Sequence, residues 1–358
     1  IMKSMSKLFE YVHALTVTED LIITEMIDDG ELEHVTLMNP IDGKTEEIED
    51  WLNAFEEEMK NTLKNLIKDS LATASKKKRE NWMNDYPAQV IIISNQILWT
   101  QQVTNGLRSS KLRMMKIAQN KFLEQLDQLT EMIRQQLTPA LRQLISCLLI
   151  NEVHNRDILA NLIKMEITDI DNFTWVKQLR YYWEEETVMV RSINNTYEYS
   201  YEYAGDSARL VITPLTDRCY QTLLAAFKQF LGGAPSGPAG TGKTETVRDC
   251  AKSLGRPCVV YNCSEEVTPE QMSQFFAGLA TSGSWSCFDE FNRINIEVLS
   301  VIAQQVRTIQ NAISSTQETF ILDTRTLKLN PNAAICITMN PGYAGRTELP
   351  DNLKALFR

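Results

Sequence analysis

Apolar residues recur at helical spacing through the first half of the chain. Trp51, Phe55, Met59, Leu63, Leu66 and Ile67 share one face of a segment otherwise rich in Glu, Lys and Asn, which predicts an amphipathic helix. A second stripe runs Phe122, Leu126, Leu129, Ile133, Leu137, breaks at Thr138-Pro139, and resumes at Leu141, Leu144, Ile145 and Leu148. Thr138 suits an N-cap and Pro139 the first helical position, so two consecutive helices with a bend between them are expected. Stripes of this kind pack the core of a helical bundle.

Near Asn194 the texture changes. Tyr197, Tyr199, Tyr201 and Tyr203 alternate with polar residues, a strand signal, and Gly205-Asp206 gives a turn before Leu210-Val-Ile-Thr213. A domain boundary is expected here. Beyond it the apolar runs Cys258–Tyr261, Ser286–Phe288 and Ala334–Ile337 alternate with helical patterns starting near Lys243, Pro269 and Ile294. That alternation predicts an α/β domain: a mostly parallel sheet flanked by helices, preceded by a mainly α-helical segment. Phe320–Leu329 reads as a tight hairpin inserted ahead of the last of these strands. No internal repeat is visible.

The 358 residues give room for two or three domains, each with its own core. Hydrophobic residues at 43% and charged residues at 23% are those of an ordinary globular chain. The net charge of -10 repels phosphate backbones and anionic membrane surfaces, which argues against nucleic acid or membrane as a partner. It also argues that this stretch does not itself grip an acidic polymer. The apolar run Val90–Ile93 is interrupted by Ser94, Asn95 and Gln96, well short of the roughly 20 residues of a membrane span. Isoleucine at position 1, without an apolar signal core, points to an excerpt of a longer chain. Seven cysteines form no C-x-x-C pair, as expected in a reduced, intracellular setting. His13, His34 and His154 are too scattered for a metal site, and Lys76–Arg79 reads as a solvated basic face.

The chemistry begins at Gly237-Pro238-Ala239-Gly240-Thr241-Gly242-Lys243-Thr244, which fits the P-loop pattern. Small residues there let backbone N–H groups curl around phosphate oxygens at a helix N-terminus, here the helix opened by Lys243, Thr244 and Glu245. Lys243 is expected to neutralise β/γ-phosphate charge and Thr244 to ligate Mg²⁺. Trp285–Asp289-Glu290 is an apolar strand ending in two carboxylates, at the edge where open α/β sheets bind ligands. Successive strand side chains face opposite ways, so Asp289 can hold Mg²⁺ while Glu290 acts as general base on water. Asn340 ends the run Ala334–Met339 and is expected to sense the γ-phosphate; a turn-forming Asn before Pro341-Gly342 is the plainer reading. A nucleotide-holding module without hydrolysis is the rival that Glu290 opposes.

These residues together resemble the dynein heavy chain family. The resemblance lies in Val211–Tyr220, Gly232–Pro235 running into the P-loop, Cys287–Arg293, and Ile337–Arg346 followed by Leu349–Arg358. It is weaker upstream, in Asp50-Trp-Leu52, Asn95–Trp99 and Arg180–Trp183, which look like the C-terminal part of the dynein linker. Glu245-Thr-Val and Ser284–Cys287 look more axonemal than cytoplasmic.

The resemblance implies a linker over 1–195, a connecting segment over 196–230, and the large subdomain of a first AAA+ module over 231–358. It also implies a ring of six such modules in one chain, an ATP/ADP and Mg²⁺ site, and an ATPase coupled to linker movement in a minus-end-directed microtubule motor. The implied setting is the cytoskeleton of the ciliary axoneme. Its partners are the other modules, intermediate and light chains, and microtubules gripped elsewhere. A cytoplasmic dynein or a non-motor AAA+ remodelling ATPase are the alternatives. By the same resemblance Val211, Ile212, Thr213 and Pro214 cover the adenine, Arg346 lies near the active site, and Arg358 is an arginine finger acting in trans. The chain is expected to stop before the last strand of the sheet. With no neighbouring finger, worth about 10³ to 10⁵ in rate, the isolated chain is expected to hydrolyse ATP negligibly.

Overall fold

The computed structural model describes residues 8–28, 30–44, 48–109, 111–205, 209–341 and 348–358. It divides into two compact units, Ile1–Val211 and Ile212–Arg358.

The first unit opens on an antiparallel meander, β1 (Val12–Val17), β2 (Ile22–Asp28) and β3 (His34–Asp42). Helix α1 (Ile48–Thr73) buries Trp51, Phe55, Met59, Leu63 and Ile67, the face its spacing predicts, with Leu66 half-buried beside it. The helix holds β3 by polar contacts: Met38 N–H donates to Thr62 Oγ1 at 3.1 Å and Asn39 N–H to Glu58 Oε1 at 2.8 Å. After a short α2 (Arg79–Asn84) comes α3 (Ala88–Arg108), whose Val90–Ile93 run is buried on every side, as a central bundle helix requires.

Helices α3, α4 (Leu112–Met132) and α5 (Pro139–Lys164) enclose two apolar clusters, one around Leu144, Ile145 and Leu148 and one around Trp99 and Trp175. Thr138 caps α5 by accepting from Leu141 N–H, with Pro139 in the first turn, so the bend falls where the sequence places it. A one-turn helix, α6 (Phe173–Val176), precedes a second antiparallel meander, β4 (Arg180–Glu184), β5 (Thr187–Ser192) and β6 (Asn195–Glu198). The first meander and strands β4 and β5 of the second lie within the stretch that the sequence reads as helical, while β6 falls where the strand texture is expected to begin.

The alternating tyrosines only partly form a strand. Tyr197 pairs with Val190 and Tyr199 N–H still donates to Val188 O at 2.9 Å, whereas Tyr201, left-handed at φ +57°, and Tyr203 lie in a buried segment beyond the ladder. Side chains hold that segment instead: Gln89 Nε2 donates to Tyr199 Oη and to Glu202 O, and Tyr203 Oη donates to Glu33 Oε2 at 2.6 Å. Asp206 of the expected turn lies outside the described residues, and 209–213 carry no regular structure.

The second unit is the α/β domain. Helix α7 (Pro214–Lys228) starts from a Thr213–Thr216 capping box. It is followed by α8 (Lys243–Ser253), β7 (Cys258–Asn262), α9 (Pro269–Ser282), β8 (Trp285–Asp289), a 3₁₀ turn at Phe291–Arg293, and α10 (Ile296–Ser314). That 3₁₀ turn displaces the start of α10 two residues beyond Ile294. The hairpin forms as read, β9 (Thr319–Leu322) against β10 (Arg325–Lys328), and β11 (Ala334–Ile337) and α11 (Asp351–Lys354) complete the order.

Strands β11, β8 and β7 are parallel neighbours in that order, with Cys287 facing both Val260 and Cys336. Residues 232–236 run parallel beside β11, and Gly232 in turn pairs with Phe357. Arg358 N–H donates to Gly232 O at 2.9 Å and Ala234 N–H to Arg358 O at 2.8 Å. Residues 356–358 pair along the far edge of 232–234 without forming a strand of their own. Gly232 permits that approach, since a Cβ there would sit 2.4 Å from the Phe357 ring and 2.7 Å from Ile335 O.

Candidate nucleotide site

Gly240 and Gly242 take φ of +74° and +77°, a left-handed backbone that glycine adopts without a Cβ penalty. Loop residues 238–242 are exposed, and α8 begins at once with Lys243. This is an anion cradle at a helix N-terminus. Lys243 Nζ donates to Gly237 O at 3.0 Å and to Pro238 O at 2.6 Å, folded over its own loop. Glu245 lies within 3.7 Å of Arg248.

Strand β8 delivers Asp289 to the same place. Its Oδ1 accepts from Thr244 Oγ1 at 2.6 Å and from the hydroxyl of Thr338. A threonine hydroxyl touching a carboxylate is a hard-oxygen donor set of the kind that Mg²⁺ shares with phosphate and water, so the residues present fit that ion. Glu290 follows in a left-handed conformation, φ +52°, sparsely populated for a non-glycine and of a kind that clusters at functional sites. Thr338 holds it there, its Oγ1 accepting from Glu290 N–H at 3.1 Å and its carbonyl from Phe291 N–H at 3.0 Å.

The Glu290 carboxylate is engaged on both oxygens: Asn340 Nδ2 donates to Oε1 at 3.0 Å, and Arg293 Nε lies 2.6 Å from Oε2. Asn340 is buried and steadied by Asn292 Nδ2, which donates to its carbonyl at 3.2 Å. The negative charge reaches into the core: burial, then Asp289 and Glu290, push the Cys263 thiol up to about 12.

The structure thus brings together Thr244, Asp289, Glu290 and Asn340 around the loop that carries Lys243. Thr338 and Arg293 belong to the same cluster and were not singled out from sequence. Thr338 sits two residues before Asn340 on the same strand end, and Arg293 three after Glu290, which is the only signal either leaves. Arg358 stands elsewhere, at the sheet edge, exposed, with Nη1 donating to Gln229 Oε1 at 3.3 Å. Arg346 lies outside the described residues.

Thr213 and Pro214 open α7, and that helix is tied to α8 by the Tyr220 hydroxyl donating to Asp249. Ile212 is half-buried, and Val211, the last residue of the first unit, is exposed. Among the described residues no helix is long and apolar enough to cross a membrane.

Residues 199–358 match the family model described as the hydrolytic ATP binding site of dynein motor region, and residues 1–70 match dynein heavy chain, N-terminal region 2. Over 356 residues the chain is 46% identical to dynein axonemal heavy chain 3 of Homo sapiens, covering 99% of this chain and 9% of that one. The chain belongs to the dynein heavy chain family. Two further human relatives, dynein axonemal heavy chains 1 and 12, are each 45% identical over 99% of the chain, which covers 8% and 11% of their lengths. This dynein chain therefore spans about a tenth of the relatives it matches. The matched ATP-binding region contains every residue of the Thr244–Asp289–Glu290–Asn340 cluster.

Proposed function

We propose that this chain is the ATP-binding and hydrolysing part of an axonemal dynein motor, coupling hydrolysis to linker movement during ciliary or flagellar beating. The observation that carries the reading is the Thr244–Asp289 contact at 2.6 Å beside a Glu290 held by Asn340 at 3.0 Å. One oxygen pair suits a divalent cation and the adjacent carboxylate suits a general base.

On this reading the loop N–H groups of 239–242 cradle the phosphates, whose oxygens compete with the Gly237 and Pro238 carbonyls for Lys243 Nζ. Bound Mg²⁺ would supply charge neutralisation at the β- and γ-phosphates, with Thr244 and Asp289 as its protein ligands. Glu290 takes a proton from water as the water oxygen bonds to the γ-phosphorus, and the bridging oxygen leaves with ADP. Asn340 orients Glu290 and the water, while Thr338 keeps Asp289 and the Glu290 backbone in register.

Val211–Pro214 covers the adenine, residues 1–195 serve as linker, 196–230 connect, and 231–358 form the large subdomain of the first AAA+ module. Arg358 acts in trans on a neighbouring module. Intermediate and light chains, and microtubules gripped elsewhere on the heavy chain, are the partners.

The test is equilibrium binding of a fluorescent ATP analogue to the heavy chain with other nucleotide sites blocked. Lys243→Ala should lower affinity by about tenfold or more, since a phosphate-binding charge is lost. Unchanged affinity would remove the P-loop from the account.

A further inference from the structure

Strands β8 and β11 leave their parallel ladder together at Phe288 and Ile337. Beyond it the two chains stay joined by single bonds. Glu290 N–H donates to Thr338 Oγ1 at 3.1 Å, Phe291 N–H to Thr338 O at 3.0 Å, and Asn292 Nδ2 to Asn340 O at 3.2 Å. Only the last of these has a side chain as donor. Pro341 follows Asn340 and has no N–H to continue a ladder, and the Asn340 carbonyl turns to Asn292.

Asn292 is 6% exposed and Asn340 4%, so water does not compete for this bond and the two amides meet in a low-dielectric surrounding. On the other side, Met339 N–H donates to Pro235 O and Met339 O accepts from Gly237 N–H, each at 3.2 Å. The backbone around Asn340 is thereby fixed from two directions, by the chain leading into the P-loop and by the turn that follows Glu290.

These contacts close a ring. Asn340 Nδ2 donates to Glu290 Oε1 at 3.0 Å, and the Asn340 carbonyl accepts from Asn292. Asn292 in turn belongs to the 3₁₀ turn Phe291–Arg293, which is closed onto Glu290 by Arg293 N–H donating to Glu290 O at 2.9 Å. Glu290 and its amide partner are therefore referenced to the same three residues. Without Asn292 the Asn340 peptide plane is free to rotate and carry Nδ2 away from Oε1, and a misplacement of about 1 Å at a reacting centre lowers the rate about a hundredfold.

We propose that Asn292 is a positioning residue for ATP cleavage, holding Asn340 so that its amide stays aimed at Glu290 and the attacking water. It acts through Asn340 and not on the nucleotide. That role rests on Glu290 being the general base.

The test is a double-mutant cycle in the intact heavy chain with other nucleotide sites blocked, read by rapid-quench cleavage and by equilibrium binding of a fluorescent ATP analogue. Asn292→Ala is expected to slow cleavage by about tenfold or more while analogue affinity stays within about twofold. Asn292→Leu, which has a closely similar shape and no donor, should slow it as much, whereas a packing role would leave that variant near the wild-type rate. In an Asn340→Ala background, itself slowed, either substitution should add less than about twofold, because the group it positions is gone. Additive losses, wild-type cleavage by either Asn292 variant, or a loss of analogue affinity matching the loss of cleavage would each overturn the role of Asn292 and leave Glu290 and Asn340 in place. Unslowed cleavage by Asn340→Ala would instead remove the role of Asn340 beside Glu290, and that of Asn292 with it.

Discussion

Thr244 Oγ1 donates to Asp289 Oδ1 across 2.6 Å, joining the first turn of α8 to the end of β8. Forty-five residues separate the two in sequence, and the parallel register of β7, β8 and β11 sets their meeting. Thr338 bonds the same oxygen, so one carboxylate ties the P-loop helix, β8 and the residue following β11.

Asp289→Ala should therefore do more than remove a metal ligand. The Thr244 and Thr338 hydroxyls both lose their acceptor, and Glu290 loses part of the frame holding its left-handed backbone. Steady-state turnover of the heavy chain is expected to fall about a hundredfold or more, with a weakened dependence on Mg²⁺ concentration. A variant retaining normal Mg²⁺ dependence would show that the metal is held by other groups.

Glu202 makes the first unit pH-sensitive. Burial pushes its carboxyl up to about 7, with Lys60 opposing and Glu56 adding to the shift. The folded chain therefore holds this proton more tightly than the unfolded chain does. The contribution is fully present below the ordinary carboxylate range, declines as pH rises towards 7, and is gone above it. Glu202→Gln should stabilise the fold at pH 8 by on the order of 1 to 3 kcal/mol and change little at pH 4. Denaturant midpoints at the two pH values give the comparison, and an equal shift at both would exclude the desolvated carboxyl as the cause.

Two glycines of the second unit should respond oppositely to alanine. At Gly232 the added Cβ meets the Phe357 ring at 2.4 Å and the Ile335 carbonyl at 2.7 Å, so Gly232→Ala is expected to cost about 1 to 3 kcal/mol. Gly278 is exposed inside α9 with nothing within 4 Å of an added Cβ. Gly278→Ala should stabilise by roughly 0.5 to 1 kcal/mol through helix propensity. Thermal denaturation of both variants checks the pair.

Local signals made part of this legible in the sequence. The P-loop announces itself because its glycines and Lys243-Thr244 are contiguous, and α1 because its buried face repeats every three to four residues. The two meanders stayed hidden for the opposite reason. The turn between β4 and β5 places Glu185 and Glu186 in the left-handed region, as Ile193 does in the next turn and Leu21 between β1 and β2. No glycine or Asn-Gly pair marks those positions, so the usual hairpin signal is missing there, although Asp29-Gly30 between β2 and β3 does carry it. Thr338 was missed because its role arises only once β11 lies beside β8, and Arg293 because its local ion pair with Glu290 depends on the 3₁₀ turn that follows β8. The tyrosine alternation at 197–203 was real but reports burial against side chains more than ladder pairing.

The proposed general base is Glu290, held by Asn340 and placed to take the proton from the attacking water. Rapid-quench measurement of ATP cleavage by the intact heavy chain carrying Glu290→Gln tests it most directly. ATP binding is expected to persist while cleavage slows by about 10² to 10⁴, the range of a lost general base. Cleavage at the wild-type rate with binding intact would contradict it.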